Sequence, residues 1–330
     1  MRSIHYYLLG TGSWFIAFGI QGVLFAWLVA MELRVSAEWV GIAQMTLLLP
    51  GTLLILIGGS YADRFGGRRV TVLAQALAVI GPLFLVWLLL RDELTYSSML
   101  VYAVLMGCAT AFVTPARDGL LNEVAEGRVQ RTVMLVSMVQ FGGQLLGFSL
   151  AATSDAVGPV PVLLAQSGLL AVGLLMFFAI PPRSTHASRP TARLVASLLE
   201  GARTVFSSAS MQVIVVQNLA MALFFMGSFV VTLPLLVRDV FAGSSTDLAL
   251  MNGVNSFGLL SSIVLLLRFG DVQRPGRALI SAHVVGSVAL ASVGLVGEFM
   301  HAVAIMLVWG MCGGIAMAMS RTIMQEQAPH

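Results

Sequence analysis

Residues 59–69 read Gly-Ser-Tyr-Ala-Asp-Arg-Phe-Gly-Gly-Arg-Arg, and this polar loop separates two long apolar runs, 39–60 and 70–90. Each run contains the ~20 mostly apolar residues that a helix needs to cross a bilayer. The pattern therefore predicts a hairpin of two membrane helices. The connection between the two helices contains one acid, three arginines and three glycines. Packing between apolar helices does not require such a composition.

The whole chain has the composition of a membrane protein. Of its 330 residues, 58% are hydrophobic and only 10% are charged, whereas soluble domains contain about 25% charged residues. The spans are predicted to be helices because lipid offers no partner to the backbone of an open strand. The sequence thus predicts an all-α membrane protein with ten transmembrane helices, near 8–31, 39–60, 70–90, 96–115, 132–153, 161–181, 211–234, 248–267, 278–297 and 302–319.

The basic residues indicate how these spans are oriented. The chain has 18 arginines and no lysine, and with the amino terminus inside, all but three arginines fall on the cytoplasmic side. The three on the outer side are Arg34, Arg91 and Arg238. Because positive residues concentrate in cytoplasmic loops, we expect a multi-pass protein of a bacterial cytoplasmic membrane with its amino terminus inside.

The sequence also predicts two related halves. A polar segment, 182–210, follows the sixth span and is interpreted as a cytoplasmic linker between an amino-terminal half, 1–181, and a carboxyl-terminal half, 211–330. Asp271 follows Asp63 at a distance of 208 positions, within a similar loop. Repeated halves of this kind are common in secondary transporters.

The second half contains four predicted spans and the first contains six. The first half continues for 64 residues after Arg117, but only nine residues follow the equivalent Arg321. We therefore expect the second half to be incomplete, with two helices of the repeat missing from this sequence. The alternative is a natural ten-span protein.

The loop at 59–69 resembles the signature between the second and third helices of the major facilitator superfamily of transporters. The family pattern is roughly Gly-x-Leu-Ala-Asp-Arg-x-Gly-Arg-Arg, from which Tyr61 and Gly67 depart. The resemblance implies a two-halved bundle that works by alternating access, with the aspartate helping to latch the cytoplasmic side. Asp63, near the start of the third helix, also suits the positive end of that helix. The predicted cytoplasmic gate comprises Gly59, Asp63, Arg64, Gly66, Arg68, Arg69, Arg117, Asp271 and Arg277.

A second stretch indicates a branch of this family. Residues 114–119, Thr-Pro-Ala-Arg-Asp-Gly, resemble the end of the fourth helix in exporters related to the enterobactin and macrolide efflux proteins. This resemblance favours export. The alternative is a helix end flanked by ordinary interfacial charges.

Polar residues within the spans are the candidates for a substrate cavity. A polar group inside the membrane is costly unless it is paired, so each one marks either a cavity or a hydrogen bond between helices. In the fifth span, polar and small residues share a face roughly 120° wide. This stripe is interpreted as either cavity lining or helix packing. Its members are Ser137, Gln140, Gly143, Gln144, Gly147 and Ala151. The predicted cavity residues are Gln21, Glu32, Gln140, Gln144, Gln217, Asn218, Asn252 and Asn255.

Taken as a sequence, the chain is predicted to be a secondary active transporter that exports a drug-like or siderophore-like small molecule. The alternatives are a non-transporting membrane fragment, a receptor-like protein and an integral membrane enzyme. The sequence contains no metal-ligand spacing and no phosphate-binding loop, so we expect no enzyme, cofactor, metal or nucleic-acid partner. Protons are a candidate coupling ion, although no acid lies deep within a span and Glu32 comes nearest.

Overall fold

The computed structural model describes residues 2–125, 129–181, 209–269, 272 and 274–327, and every regular element among them is a helix. The predicted all-α fold is thereby confirmed. Up to residue 181 the elements are α1 (Arg2–Trp27), which continues as a π-helix over Leu28–Glu32, α2 (Ala37–Leu53), α3 (Ile55–Phe65), α4 (Gly67–Leu89), α5 (Tyr96–Val124), α6 (Val129–Ala152), α7 (Ser154–Val157) and α8 (Pro159–Ala179).

The second part of the chain begins with an irregular span. Its elements are α9 (Ala209–Ala220), two π-helical segments (Met221–Met226 and Ser228–Thr232), α10 (Leu233–Asp239), α11 (Ser245–Phe269), α12 (Pro275–Val293) and α13 (Phe299–Gln327). We refer to 209–239 as the seventh span. The predicted linker lies almost wholly in 182–208, outside the described residues.

Ten elements of the described chain can account for the ten predicted spans. Nine helices are long and apolar enough to cross a bilayer, and the count is ten if α2 and α3, which meet at a bend of 43°, make one span. The bend lies at Leu54, one turn after Pro50. Proline removes one hydrogen bond of the helix ladder and its ring crowds the preceding turn, which accounts for a break at this place.

The chain folds as two compact units, Met1–Arg189 with Ser244–Thr246, and Pro190–Gly243 with Asp247–His330. In the first unit α1 packs against α6 and α8, α4 packs against α5 and α8, and the bent pair packs against α5. A buried cluster at one end of this unit contains Tyr7, Leu120, Leu121, Val124, Phe177 and Ile180.

Glycines allow the closest of these contacts. At the crossing of α1 and α6, a Cβ atom added to Gly147 would lie 2.8 Å from the Cα of Gly19. Membrane helices pack through small residues in this way because lipid provides no hydrophobic force to drive them together. In the second unit, Gly310 of α13 meets α11 similarly: its Cβ would lie 2.8 Å from the carbonyl carbon of Asn255.

The helix bounds repeat between the two units. The first span, 2–32, and the seventh span, 209–239, have the same length, and both α5 and α13 contain 29 residues. Helices α4 and α12 begin 208 positions apart, at Gly67 and Pro275. Among its described residues, the second unit has no counterpart of α6 or α8.

Candidate functional site

The signature loop is shorter in the structure than its sequence indicates. Helix α3 runs to Phe65 and α4 starts at Gly67, so Gly66 alone connects them. Gly66 has a φ of 89°, which glycine adopts without steric cost, and its N–H donates to the carbonyl of Ala62 at 2.9 Å. Asp63 lies in the last turn of α3, four positions before Gly67, the first residue of α4, which is the third predicted span.

Two glycines of this hairpin contact the backbone of α5. A Cβ atom on Gly67 would lie 2.6 Å from the carbonyl oxygen of Ala116, and one on Gly58 would collide with the carbonyl oxygen of Ala111. Gly59, the glycine of the predicted motif, has ordinary room beside Pro115, at 3.8 Å. The departure from the family pattern at position 67 therefore has a steric reason, because a longer side chain has no space there.

The arginines of the signature differ in their surroundings. The guanidinium of Arg68 donates to the carbonyl oxygen of Phe178 and lies 5.2 Å from the centre of the Phe178 ring. Arg68 thus satisfies a carbonyl at the end of α8, one of the groups that a helix leaves without an internal partner. Arg64 lies 5.3 Å from the ring centre of Phe65, while Arg69 and Asp63 are exposed.

Arg117 is buried within the first unit, with 6% of its surface exposed. Its guanidinium lies 4.6 Å from the centre of the Phe15 ring in α1, and its carbonyl accepts a hydrogen bond of 3.1 Å from the Tyr7 hydroxyl. The Nε and Nη1 atoms are buried without a hydrogen-bond partner. A cation over an aromatic face gains some electrostatic energy, but an incompletely paired guanidinium inside a helix bundle is expensive.

The predicted gate includes two residues from the second half of the chain, and the structure describes only one of them. Asp271 lies outside the described residues. Arg277 is the third residue of α12 and is exposed. A basic residue in the first turn of a helix faces the positive end of the helix dipole, so solvent rather than the helix stabilises this charge.

The candidate cavity residues of the first unit lie on α1, its π-helical extension and α6. Gln21 is buried with 4% exposure, Glu32 is exposed, and Gln140 and Gln144 are half-buried. Gly147 of the same α6 stripe touches α1, as described above, so part of the stripe serves helix packing. The half-buried polar members of the stripe are Ser137, Gln140 and Gln144.

In the second unit the candidate amides form contacts between helices. The Ser320 hydroxyl donates to Asn218 Oδ1 at 3.3 Å, and Asn255 Nδ2 donates to the Met306 carbonyl at 3.3 Å. Asn252 is buried with 5% exposure. Both hydrogen bonds join the α13 helix to a neighbouring span, which is the structural alternative that the sequence left open for each amide.

Gln217 belongs to a cluster that the sequence did not predict. Its Nε2 lies 3.1 Å from Nδ1 of His283, and the imidazole makes an edge-to-face contact with Phe225 at 5.9 Å between ring centres. Trp309 lies 5.9 Å from Phe225 and 5.8 Å from Phe229. A single histidine in an apolar run carries no distinctive spacing, so only the fold reveals this group.

Another set of contacts missed from the sequence involves Asp155. Residues 244–246 belong to the first unit, and the Asp155 carboxylate accepts hydrogen bonds from the Ser245 hydroxyl at 2.6 Å and the Thr246 N–H at 2.8 Å. The Ser154 and Ser245 hydroxyls lie 2.6 Å apart. An acid that accepts from backbone N–H groups at the start of a helix is an effective cap, and here those groups belong to Ser245 and Thr246. The residues are 90 positions apart, so no local sequence signal links them.

Comparison with known proteins gives a family and several relatives. A family model described as Major Facilitator Superfamily matches residues 7–330. The multidrug efflux pump Tap of Mycobacterium tuberculosis is 30% identical over 207 residues, which cover 57% of this chain and 47% of that protein. The chain therefore spans about half the length of this relative.

Two relatives match over longer stretches at lower identity. The lysophospholipid transporter LplT of Yersinia enterocolitica is 26% identical over 326 residues, which are 96% of this chain and 77% of that protein. The enterobactin exporter EntS of Shigella boydii is 22% identical over 326 residues, which are 95% of this chain and 75% of that protein.

Solved structures share the fold. A bacterial homologue of the lysosomal transporter Spinster superposes with a TM-score of 0.73 at 14% identity, covering 97% of this chain and 74% of that chain. A D-xylose–proton symporter superposes with a TM-score of 0.69 at 14% identity, covering 96% of this chain and 79% of that chain. At this identity the likeness concerns the arrangement of helices alone.

Proposed function

The chain belongs to the Major Facilitator Superfamily, and we propose that it is a secondary active transporter that exports an amphipathic small molecule across a bacterial cytoplasmic membrane. The observation that carries this proposal is the family match over residues 7–330, together with the repeat of the first four spans. The names of an efflux pump and a siderophore exporter among its relatives support the direction.

The proposed mechanism is alternating access, in which two repeated units move about a central substrate path. Asp63, Arg64 and Arg69 are the proposed gate residues that are exposed at the tip of the hairpin. Arg68 and Arg117 also contact α8 and α1 within the first unit, through Phe178 and Phe15. Gln21, Gln140 and Gln144 are proposed to contact substrate, because their amides can bind polar groups while the surrounding helices remain apolar.

Transport by purified protein in liposomes tests the function. The panel of probes is ethidium, enterobactin and a lysophosphatidylethanolamine, each measured with and without an imposed pH gradient. We expect the protein to move at least one probe faster than empty liposomes do. No transport of any probe would contradict the proposed export.

Topology gives a separate prediction. In a variant without Cys108 and Cys312, single cysteines at Ser188 and Ser244 are expected to react with impermeant maleimide from opposite faces of the membrane, with Ser188 inside. The reason is that the arginines concentrate on one side of the ten spans. Labelling in intact cells and in inverted vesicles measures the accessibility of each cysteine from the two faces. Reaction of both cysteines from one face would exclude the ten-span arrangement.

A further inference from the structure

His283 lies near the middle of the 19-residue helix α12, inside the second unit. Its ring is half-buried, and Phe225 of the seventh span contacts it edge-to-face. An ionisable side chain at this place in a membrane helix is expensive unless it is paired, and it marks a candidate functional site. What His283 can do depends on which ring nitrogen carries the proton of the neutral form.

The backbone of α12 fixes that proton on Nδ1. This nitrogen lies 2.9 Å from the carbonyl oxygen of Leu279, one turn earlier in the helix. A carbonyl only accepts hydrogen bonds, so Nδ1 must donate. The Gln217 amide lies 3.1 Å from the same nitrogen. Because the two ends of an amide have the same shape, turning it over presents Oε1 as a second acceptor for the Nδ1 proton.

Nε2 is then the basic nitrogen of the ring. It carries the lone pair of the neutral imidazole, and it is buried without a hydrogen-bond partner. Buried polar atoms nearly always have a partner, so an exception calls for an explanation. A proton bound to Nε2 uses this lone pair and makes the ring positive. The Nδ1 proton keeps its two oxygen acceptors, from Leu279 and Gln217, and both stabilise the positive ring.

The charged side chains that the structure describes on the neighbouring elements lie toward the helix ends. Arg277 is six residues from His283, about 9 Å along the helix. The titratable group in the interior is Cys312, whose Cβ would lie 3.2 Å from a Cβ atom on Gly286. Histidine is the side chain whose charge ordinarily changes between about pH 5 and pH 8. The charged groups of the seventh span, α11, α12, α13 and their flanking residues include Arg238, Asp239, Asp247, Arg268, Arg274, Arg277, Glu298 and His301.

We propose that His283 is a proton-binding site, and that the proton it binds is the one exchanged for the exported substrate. Nε2 forms an N–H bond with a proton taken from water on the outer side, and it returns that proton to water on the inner side as one substrate molecule leaves. A groove of about 330 Å³ between the seventh span and α12 reaches the ring. Its polar residues Gln217 and Ser287 allow water to approach.

This inference rests on the proposed export function and deepens it by naming the residue that couples export to protons. It also answers a question that the sequence left open, because no acid lies deep within a span. A neutral histidine placed among apolar residues can fulfil this role without the cost of a permanent buried charge.

Nuclear magnetic resonance of the histidine ring tests proton binding without using transport. A variant in which His5, His186, His301 and His330 are replaced by Gln keeps His283 alone and gives one ring signal. With isotope-labelled histidine in nanodiscs, we expect both ring nitrogens to be protonated at about pH 5 and Nε2 to lose its proton by about pH 8. A ring that stays neutral over this range would overturn the proposal, as would a neutral form with its proton on Nε2. Should the variant aggregate, the signal is assigned in the unmodified protein as the one missing from His283→Gln.

Accumulation of a probe in liposomes tests the coupling. With a gradient of about one pH unit, exchange of one proton per molecule supports about tenfold accumulation. We expect the unmodified protein to approach this value, and His283→Gln, whose amide stays neutral, to equilibrate the probe without accumulating it. His301→Gln is the matched control, because His301 is exposed near the start of α13, where it lies 3.3 Å from Glu298. The control is expected to accumulate the probe like the unmodified protein.

The two measurements separate the proton site from the export function. Accumulation by His283→Gln at the level of the control would overturn the role of His283 and leave export standing, and so would equal loss in both variants. A His283 ring that takes up a proton in a protein that moves no probe would contradict export and leave the proton-binding site standing.

Discussion

Gly147→Leu is expected to prevent the first unit from folding. The new Cβ atom would lie 2.8 Å from the Cα of Gly19 and 2.9 Å from the backbone nitrogen of Ile20, both in α1. These are backbone atoms, so the clash cannot be relieved by turning a side chain. Overpacking typically costs 1–3 kcal/mol where side chains can adjust, and here we expect at least about 3 kcal/mol.

The measurement is the monodisperse fraction of a fluorescent fusion on size-exclusion chromatography in detergent. Gly142→Leu is the matched control, because it lies in the same helix and its added Cβ would meet nothing within 4 Å. We expect the control to elute like the unmodified protein and Gly147→Leu to aggregate or to be degraded. Similar elution of the two variants would show that contact between α1 and α6 is not needed for folding.

Asp63→Asn is expected to reduce transport by the full-length protein about tenfold while leaving membrane insertion intact. The substitution keeps the shape of the side chain and removes its charge, and a hydrogen bond to a charged group contributes about 1.5–3 kcal/mol. If the closed state of the gate loses about 1.4 kcal/mol of stabilisation, the equilibrium constant between the closed and open states changes about tenfold. Asp63 is exposed at the hairpin tip, so its loss is not expected to disturb the core.

The probe identified in the liposome panel serves to measure this effect. Asp92→Asn is the control: Asp92 is an exposed acid in a loop with a φ of 54°, a conformation that asparagine also tolerates. We expect the control to transport at the original rate. Undiminished transport by Asp63→Asn would remove Asp63 from the gate, and an equal loss in both variants would indicate a general effect of charge.

The sequence predicted the spans well because hydrocarbon imposes one simple requirement, about 20 apolar residues in a helix. The same requirement does not predict where an apolar helix bends, so the break at Leu54 is seen only in the structure. The predicted signature loop was too long for a related reason. Its charged residues were interpreted as a connection, whereas charges at the end of a membrane helix remain helical, as at Asp63 and Arg64.

Site residues were harder to predict because their roles depend on partners far away in sequence. The pattern grouped Arg68 with the gate, but its guanidinium meets Phe178, 110 positions later. Asn255 is a cavity candidate, and its amide donates to the Met306 carbonyl. His283 gave no signal of its own, and its contact with Gln217 is seen only in the structure. In each case the sequence supplied a polar residue in an apolar helix, and tertiary packing supplied its partner.

The connection of a single residue between α3 and α4 has a mechanical consequence. Gly66 leaves no flexible segment at the hairpin tip, so Asp63 cannot travel on its own as a loop would. We expect it to move when α3 and α4 tilt. Helix α4 has 23 residues and is about 35 Å long, and tilting a rod of that length by ~10° displaces its end by ~6 Å. A displacement of that size exceeds the reach of an ion pair, so a small rotation of the helices suffices to make or break one at the tip.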